Sequence, residues 1–213
     1  MSIIFKTLYR GSLRKLIPLS LSILSIVSCS EDVKKEAAPS VKVVLPEPFH
    51  YHKAVEVKPG LTFDVLSWGR GSELQSAFLI LRSDSANIKY RSASGELEGR
   101  IEDVWNMDMD ADGNPEIFIQ TKGDGKETYF GMYVYEFDDE GSSRELRFPD
   151  LRAATRKTYR GRDSVYVKEG ALFREFPVYD ESDTAGVKPT GKKIIEYKLN
   201  GSSFSVEDRS PEQ

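Results

Sequence analysis

Residues 106–137 read NMDMDADGNPEIFIQTKGDGKETYFGMYVYEF, and the expected architecture of the chain follows from them. Two runs in this stretch, 116–121 and 129–137, are strand-like and rich in β-branched and aromatic side chains. This pattern is typical of β-strands. A glycine-rich segment, 122–128, joins the two runs. The stretch therefore predicts two antiparallel strands connected by a loop.

The same stretch begins with an acidic turn. It carries three aspartates at alternate positions, then a glycine and a glutamate: Asp108, Asp110, Asp112, Gly113 and Glu116. Alternating oxygen ligands followed by glycine are how a chain wraps a calcium ion. An EF-hand would need glutamate at its twelfth position, which is Ile119 here, so this is not an EF-hand. We expect the three aspartates to converge just before the strand that starts near Glu116, with Gly113 at the bend. Two interpretations stay open, namely a calcium site closed by Glu116 and a turn built from residues that favour bends.

Outside this stretch the chain continues with short alternating runs separated by Gly, Asn, Asp and Ser. They are 51–57, 61–67, 77–82, 88–91, 98–107, 144–148, 164–168, 171–179, 193–199 and 204–207. Only residues 149–159 have helical spacing. Many short strands with turns between them predict an all-β antiparallel sandwich or barrel with one short helix. We expect a single domain over residues 49–208 and a disordered tail over residues 209–213.

The N-terminus has the pattern of a lipoprotein signal peptide. Four basic residues are followed by an apolar run, 16–27, that is too short to span a membrane. Residues 26–29, Ile-Val-Ser-Cys, then resemble a lipobox. The pattern predicts a signal peptide over residues 1–28, and a lipidated Cys29 with a flexible tether over residues 29–48. The expected location is the outer membrane of a Gram-negative envelope, facing the periplasm or the cell surface. Contact with the bilayer is expected only through the acylated cysteine.

Composition narrows the function classes. The chain has a formal charge of −4, and removal of the basic signal peptide makes it more acidic, so nucleic acid is not an expected partner. Its single cysteine permits no disulfide within the chain. Its two histidines, His50 and His52, lie at the start of the domain, and no nucleophile–base pair is recognisable. We therefore do not expect an enzyme.

The order of motifs after the acidic turn points to a family. A D-x-D-x-D-G-x-P-E segment at 108–116 is followed by matches in four further motifs: Tyr159, Gly161 and Asp163; Arg174, Phe176, Pro177 and Tyr179; Pro189 and Gly191; and Tyr197. This order resembles the family of periplasmic inhibitors of I-type (invertebrate-type) lysozyme. The resemblance covers residues 57–207 and is closest after residue 101.

The resemblance implies an antiparallel β-sandwich of about eight strands. It also implies binding and inhibition of I-type lysozyme by a Ser-Gly-x-Tyr loop inserted into the active-site cleft, with no cofactor required. The corresponding residues here are Lys126, Glu127, Thr128 and Tyr129. Because Lys126 and Glu127 replace the serine and the glycine, a second hypothesis is a surface lipoprotein of the same fold. Such a protein would bind another envelope or extracellular partner without inhibiting lysozyme.

Overall fold

The computed structural model describes residues 44–125 and 129–211. Its strands are β1 (Phe49–Lys58), β2 (Leu61–Trp68), β3 (Gln75–Asp84), β4 (Lys89–Glu98), β5 (Arg100–Met107), β6 (Glu116–Lys122), β7 (Gly131–Phe137), β8 (Ser143–Leu146), β9 (Ser164–Lys168), β10 (Ala171–Tyr179), β11 (Pro189–Asn200) and β12 (Ser203–Asp208). One helix, α1 (Ala153–Thr158), precedes β9. Within the described ranges, no helix is long and apolar enough to cross a bilayer.

The strands form three antiparallel sheets of four strands each. Their orders are β1-β2-β3-β4, β5-β6-β7-β8 and β12-β11-β10-β9, so every sheet is a meander of hairpins. The predicted antiparallel all-β class with one short helix is confirmed. The number of about eight strands is wrong, because each of the twelve alternating runs forms a strand of its own and the strands make three sheets.

The second sheet contributes to two separate cores, and strand β6 shows why. Its first six residues are all buried, whereas a strand with one face in water alternates between buried and exposed residues. Successive side chains of a strand point to opposite faces. Ile117 and Ile119 accordingly pack in the core of the first sheet, while Phe118 packs in the core of the third sheet.

The core between the first two sheets is built from aliphatic and aromatic side chains. Phe63 and Phe137 lie with ring centroids 4.9 Å apart. Tyr133 and Tyr135 pack on Phe78 at 5.6 Å and 5.5 Å. Each fully buried side chain of this size stabilises the fold by roughly 1.5–3 kcal/mol. Tyr133 and Tyr135 of β7 therefore pack in the core between the first two sheets.

Tyr129 does not belong to this aromatic row. The run 129–137 predicted one strand, but β7 begins only at Gly131. A Cβ at Gly131 would lie 2.3 Å from the hydroxyl oxygen of Thr121 on β6, so glycine is needed where the strands first pair. Tyr129 precedes this point and packs in the second core, which lies between the second and third sheets.

Candidate functional site

The proposed inhibitory loop enters the described structure at Tyr129. Lys126, Glu127 and Thr128 lie outside the described residues. Tyr129 is partly buried and meets the ring of Tyr159 edge-to-face, with centroids 6.1 Å apart. Gly161 adopts φ +77°, and a Cβ there would lie only 3.0 Å from the Tyr129 ring. Tyr129 is therefore held by packing at the C-terminal end of the loop.

Three of the motif residues form a buried polar cluster beneath this contact. The Tyr159 hydroxyl donates a hydrogen bond of 2.5 Å to one carboxylate oxygen of Asp163. Arg174 Nε donates to the other oxygen at 2.7 Å. The side chains of Asp163 and Arg174 are only 4% and 5% exposed. Buried charges persist in this way when they are paired and hydrogen-bonded.

The cluster is connected to the residue that follows Tyr129. The Arg174 guanidinium lies 3.8 Å from the centroid of the Phe130 ring and 5.2 Å from that of Phe176, which are cation–π distances. Burial, reinforced by the Asp163 charge, raises the pKa of the Tyr159 hydroxyl, which therefore keeps its proton and stays a donor. Tyr129 and Phe130, at the end of the loop, are thus held by contacts with the neutral Tyr159 and with the buried cation of Arg174.

The remaining motif residues hold the third sheet together. Phe176, Tyr179 and Tyr197 are at most 1% exposed, and Tyr179 accepts a hydrogen bond of 3.0 Å from Arg162. The other three lie on the paired strands β10 and β11: Pro177, Pro189 and Gly191. We assign these residues to the fold, since the three aromatic side chains are buried in the core and the other three residues lie in the β10–β11 strand pair.

A pocket of about 160 Å³ opens beside the cluster. Phe130, Met132 and Phe148 supply its aromatic and aliphatic lining, and Arg156 and Arg174 add positive charge. Asp150 also lines the pocket and pairs with Arg156 at 3.6 Å, and Arg174 pairs with Asp163. The lining therefore combines apolar side chains with paired charges of both signs.

The acidic turn, hereafter the acidic loop (residues 108–116), closes as the sequence predicts. Gly113 bends the chain at φ +90°, and its amide donates to Asp108 at 3.1 Å. The Asn114 amide and side chain both donate to Asp112. One oxygen from each of the four acidic side chains lies within 4.8 Å of the others.

Glu116 is the buried member of this group, with 0% exposure. Its Oε2 accepts a hydrogen bond of 2.8 Å from the Met109 amide, but its Oε1 is buried without a partner. Burial is the main cause that raises the pKa of Glu116 to about 7; the Met109 amide opposes the rise, and nearby acidic side chains add to it. The ionised carboxylate therefore costs folding free energy unless a positive charge offsets it.

The acidic loop also reaches the third sheet. The Gly201 amide, in the turn between β11 and β12, donates to Asp110 at 3.0 Å. Gly201 is a contact residue of the acidic loop that the sequence reasoning missed. The two residues are 91 positions apart, and nothing in either local pattern predicts the contact.

The acidic loop and Tyr129, the described end of the proposed inhibitory loop, lie at opposite ends of β6. The strand has seven residues, and six steps of about 3.3 Å separate its ends by about 20 Å. They are therefore two distinct candidate sites on one hairpin. Cys29 and the rest of residues 1–43 are outside the described residues.

No protein-family model matches the chain, and no curated protein is significantly similar to it. The resemblance to inhibitors of I-type lysozyme therefore stays an inference from the ordered motifs.

Proposed function

We propose that the chain is a lipid-anchored binding module that inhibits I-type lysozyme by inserting residues 126–129 into the active-site cleft of the enzyme. The observation that carries the proposal is the packing of Tyr129 on Gly161 and Tyr159. These are residues of two separate motifs of the resemblance, and they meet at the end of the loop. The proposal assigns no catalytic residue to the chain.

Anchoring of the loop end favours tight binding. A segment that is already ordered loses less conformational entropy when it docks, so more of its contact energy appears as affinity. Tyr129 and Phe130 are both held in the second core, and Phe130 also lies against the buried Arg174. The partner would then meet a loop whose C-terminal end does not need to be ordered on binding.

The chemistry of the loop also suits a glycosidase cleft. Such a cleft is concave and carries a pair of carboxylic residues at the scissile bond. Lys126 supplies a cation that carboxylates bind strongly through charge-assisted hydrogen bonds. This cation takes the place of the serine that the family resemblance implies.

The direct test is a muramidase assay with the purified protein. We expect inhibition of an I-type lysozyme at micromolar or lower concentration, and c-type and g-type lysozymes serve as comparisons. Absence of inhibition of all three classes would overturn the proposal.

Two glycine variants test whether the loop end matters. Gly161 and Gly170 both have φ +77°, but only at Gly161 would a Cβ touch Tyr129, because nothing lies within 4 Å of a Cβ at Gly170. We expect Gly161→Ala to weaken inhibition about tenfold, which corresponds to about 1.4 kcal/mol. Gly170→Ala is the matched control and should inhibit like the natural protein. Equal inhibition by the two variants would contradict the role given to Tyr129.

A loop variant distinguishes lysozyme inhibition from the second hypothesis, in which a lipoprotein of the same fold binds another partner. The double substitution Lys126→Ser and Glu127→Gly restores the residues implied by the resemblance. If the natural chain does not inhibit and the double variant does, the natural chain binds another partner through the same fold. A pull-down with the natural protein would then identify that partner.

The anchoring part of the proposal rests on residues 16–29. We expect Cys29→Ala to move the protein from the membrane fraction to the soluble fraction, because acylation of Cys29 is the only attachment proposed. Continued membrane attachment of the variant would contradict it.

A further inference from the structure

Two buried carboxylate oxygens in the acidic loop have no partner. They are Oε1 of Glu116 and Oδ1 of Asp110. Buried polar atoms are nearly always hydrogen-bonded, and an orphaned charged group is costly. Within residues 44–125 and 129–211, none of the four acidic side chains of the loop forms an ion pair with lysine or arginine. The described residues therefore supply no positive charge that offsets these carboxylates.

The neighbouring strand does not supply the missing charge. Glu136 on β7 pairs directly with Glu116 across the sheet, so it adds negative charge. Arg144 forms an ion pair with Glu136 and donates to both of its carboxylate oxygens, at 2.7 Å and 2.9 Å. The Glu136–Arg144 pair is neutral as a whole, so the strand side gives Glu116 no counter-charge.

The geometry fits a single cation. Calcium binds oxygen ligands at about 2.4 Å, so oxygens around one ion can be about 4.8 Å apart at most. One oxygen from each of the four carboxylates meets this condition. The two orphaned oxygens belong to two of these four residues.

We propose that the four carboxylates of the acidic loop bind one calcium ion. Calcium suits the loop better than magnesium, because it accepts a flexible set of oxygen ligands, whereas magnesium demands near-octahedral geometry and keeps its own water. Asp108 and Asp112 are exposed, which leaves an open side through which water completes the coordination.

The bound ion would join two sheets. Asp110 accepts the Gly201 amide from the β11–β12 turn, so an ion that orients Asp110 also orients this turn. The acidic loop itself connects β5 to β6 in the second sheet. Calcium would thus lock the second sheet to the third sheet, at the end of β6 away from the inhibitory loop. This role is independent of lysozyme binding.

The experiment uses the purified full chain, freed of metal with a chelator and then titrated with calcium or with magnesium. We expect heat of calcium binding with a stoichiometry near one. At calcium about a hundredfold above the Kd, the unfolding midpoint should rise by about 5 to 10 °C, with a smaller rise for magnesium. An unchanged midpoint and no binding heat would overturn the proposal.

Variants locate the site. Glu116→Gln should abolish the calcium-dependent rise of the midpoint. Glu73→Gln is the matched control, since Glu73 contacts Arg100 at the other end of β5 and should leave calcium binding unchanged. Asp112→Asn changes an exposed ligand only and should weaken calcium binding about tenfold or more, so the test stands even if the Glu116 variant does not fold. Natural affinity in both loop variants would overturn the assignment.

Amide exchange provides a second readout. Calcium should slow hydrogen exchange at Gly201, because the acceptor on Asp110 becomes fixed. An unchanged rate at Gly201 together with calcium binding would overturn the proposed link between the sheets.

Discussion

Asp163 and Glu116 are both buried carboxylates, yet their surroundings are opposite. Asp163 receives the hydroxyl of Tyr159 and the guanidinium of Arg174, both at hydrogen-bonding distance. Glu116 receives one backbone amide and otherwise faces acidic neighbours. A buried charge must be offset, and of these two carboxylates the described residues offset only Asp163.

The difference separates a structural cluster from a ligand site. Where the fold supplies the counter-charge, removal of the carboxylate should destabilise the protein. Where the fold supplies none, removal of the charge should stabilise the ligand-free protein. Matched amide substitutions at the two positions are therefore expected to have opposite signs.

The largest effect is expected for Asp163→Asn. The substitution leaves the Arg174 cation buried without its counter-charge, which typically costs about 3–5 kcal/mol. Urea unfolding measures it. Asp103→Asn is the control, because Asp103 and Lys53 form a pair that is about half exposed and should contribute less than about 1 kcal/mol. Equal losses for the two variants would show that burial of the Asp163 pair has no energetic role.

Glu116→Gln should act in the opposite direction. In the presence of chelator, the neutral amide removes an uncompensated buried charge and should stabilise the protein by about 1–3 kcal/mol. The measurement is urea unfolding at pH 8 without metal. A loss of stability comparable to that of Asp163→Asn would contradict the predicted difference between the two carboxylates.

Two glycine substitutions test how tightly Tyr129 is packed in the region near Asp163. Gly161→Ala and Gly170→Ala share the strain of a left-handed backbone conformation. Only Gly161→Ala also brings a Cβ against Tyr129, so it should cost about 1 kcal/mol more than the control. Thermal unfolding of both variants measures the difference. Equal costs would mean that the Tyr129 ring moves aside freely.

The smallest effect concerns a carboxylate that water reaches. Hydrogen bonds from Lys193 and then Ser210 lower the pKa of Asp208 to about 2. Since this value lies below that of the unfolded chain, Asp208 stabilises the protein above about pH 4, and the contribution is lost as the pH falls through 2. With 45% exposure of Asp208, the effect should be below about 1 kcal/mol. Acid unfolding of Asp208→Asn against the natural protein checks it.

The sequence alone predicted the positions of the strands. β9 and β10 begin and end where their alternating runs do, at residues 164–168 and 171–179. β4 was the least complete prediction, since only 88–91 showed the pattern and the strand spans Lys89–Glu98. Its polar residues are held by backbone pairing along the whole of β3, which a hydrophobic pattern does not record.

The sequence also predicted that the acidic residues converge, with Gly113 at the bend, because alternation and a glycine in a left-handed conformation are local properties. It did not predict that Glu116 is fully buried or that Asp110 binds the Gly201 amide. It also placed Tyr129 in the same strand as Tyr133 and Tyr135, whereas β7 begins at Gly131 and Tyr129 packs in the other core.

The physical reason is the range over which each interaction acts. Alternating side chains and turn residues act between neighbours in the chain, so the sequence determines where strands begin, end and reverse. The stacking of three sheets depends on contacts between distant strands, and these contacts bury both faces of β6. Only the tertiary structure could therefore decide that Asp163 is offset by Arg174, whereas Glu116 has no counter-charge among residues 44–125 and 129–211.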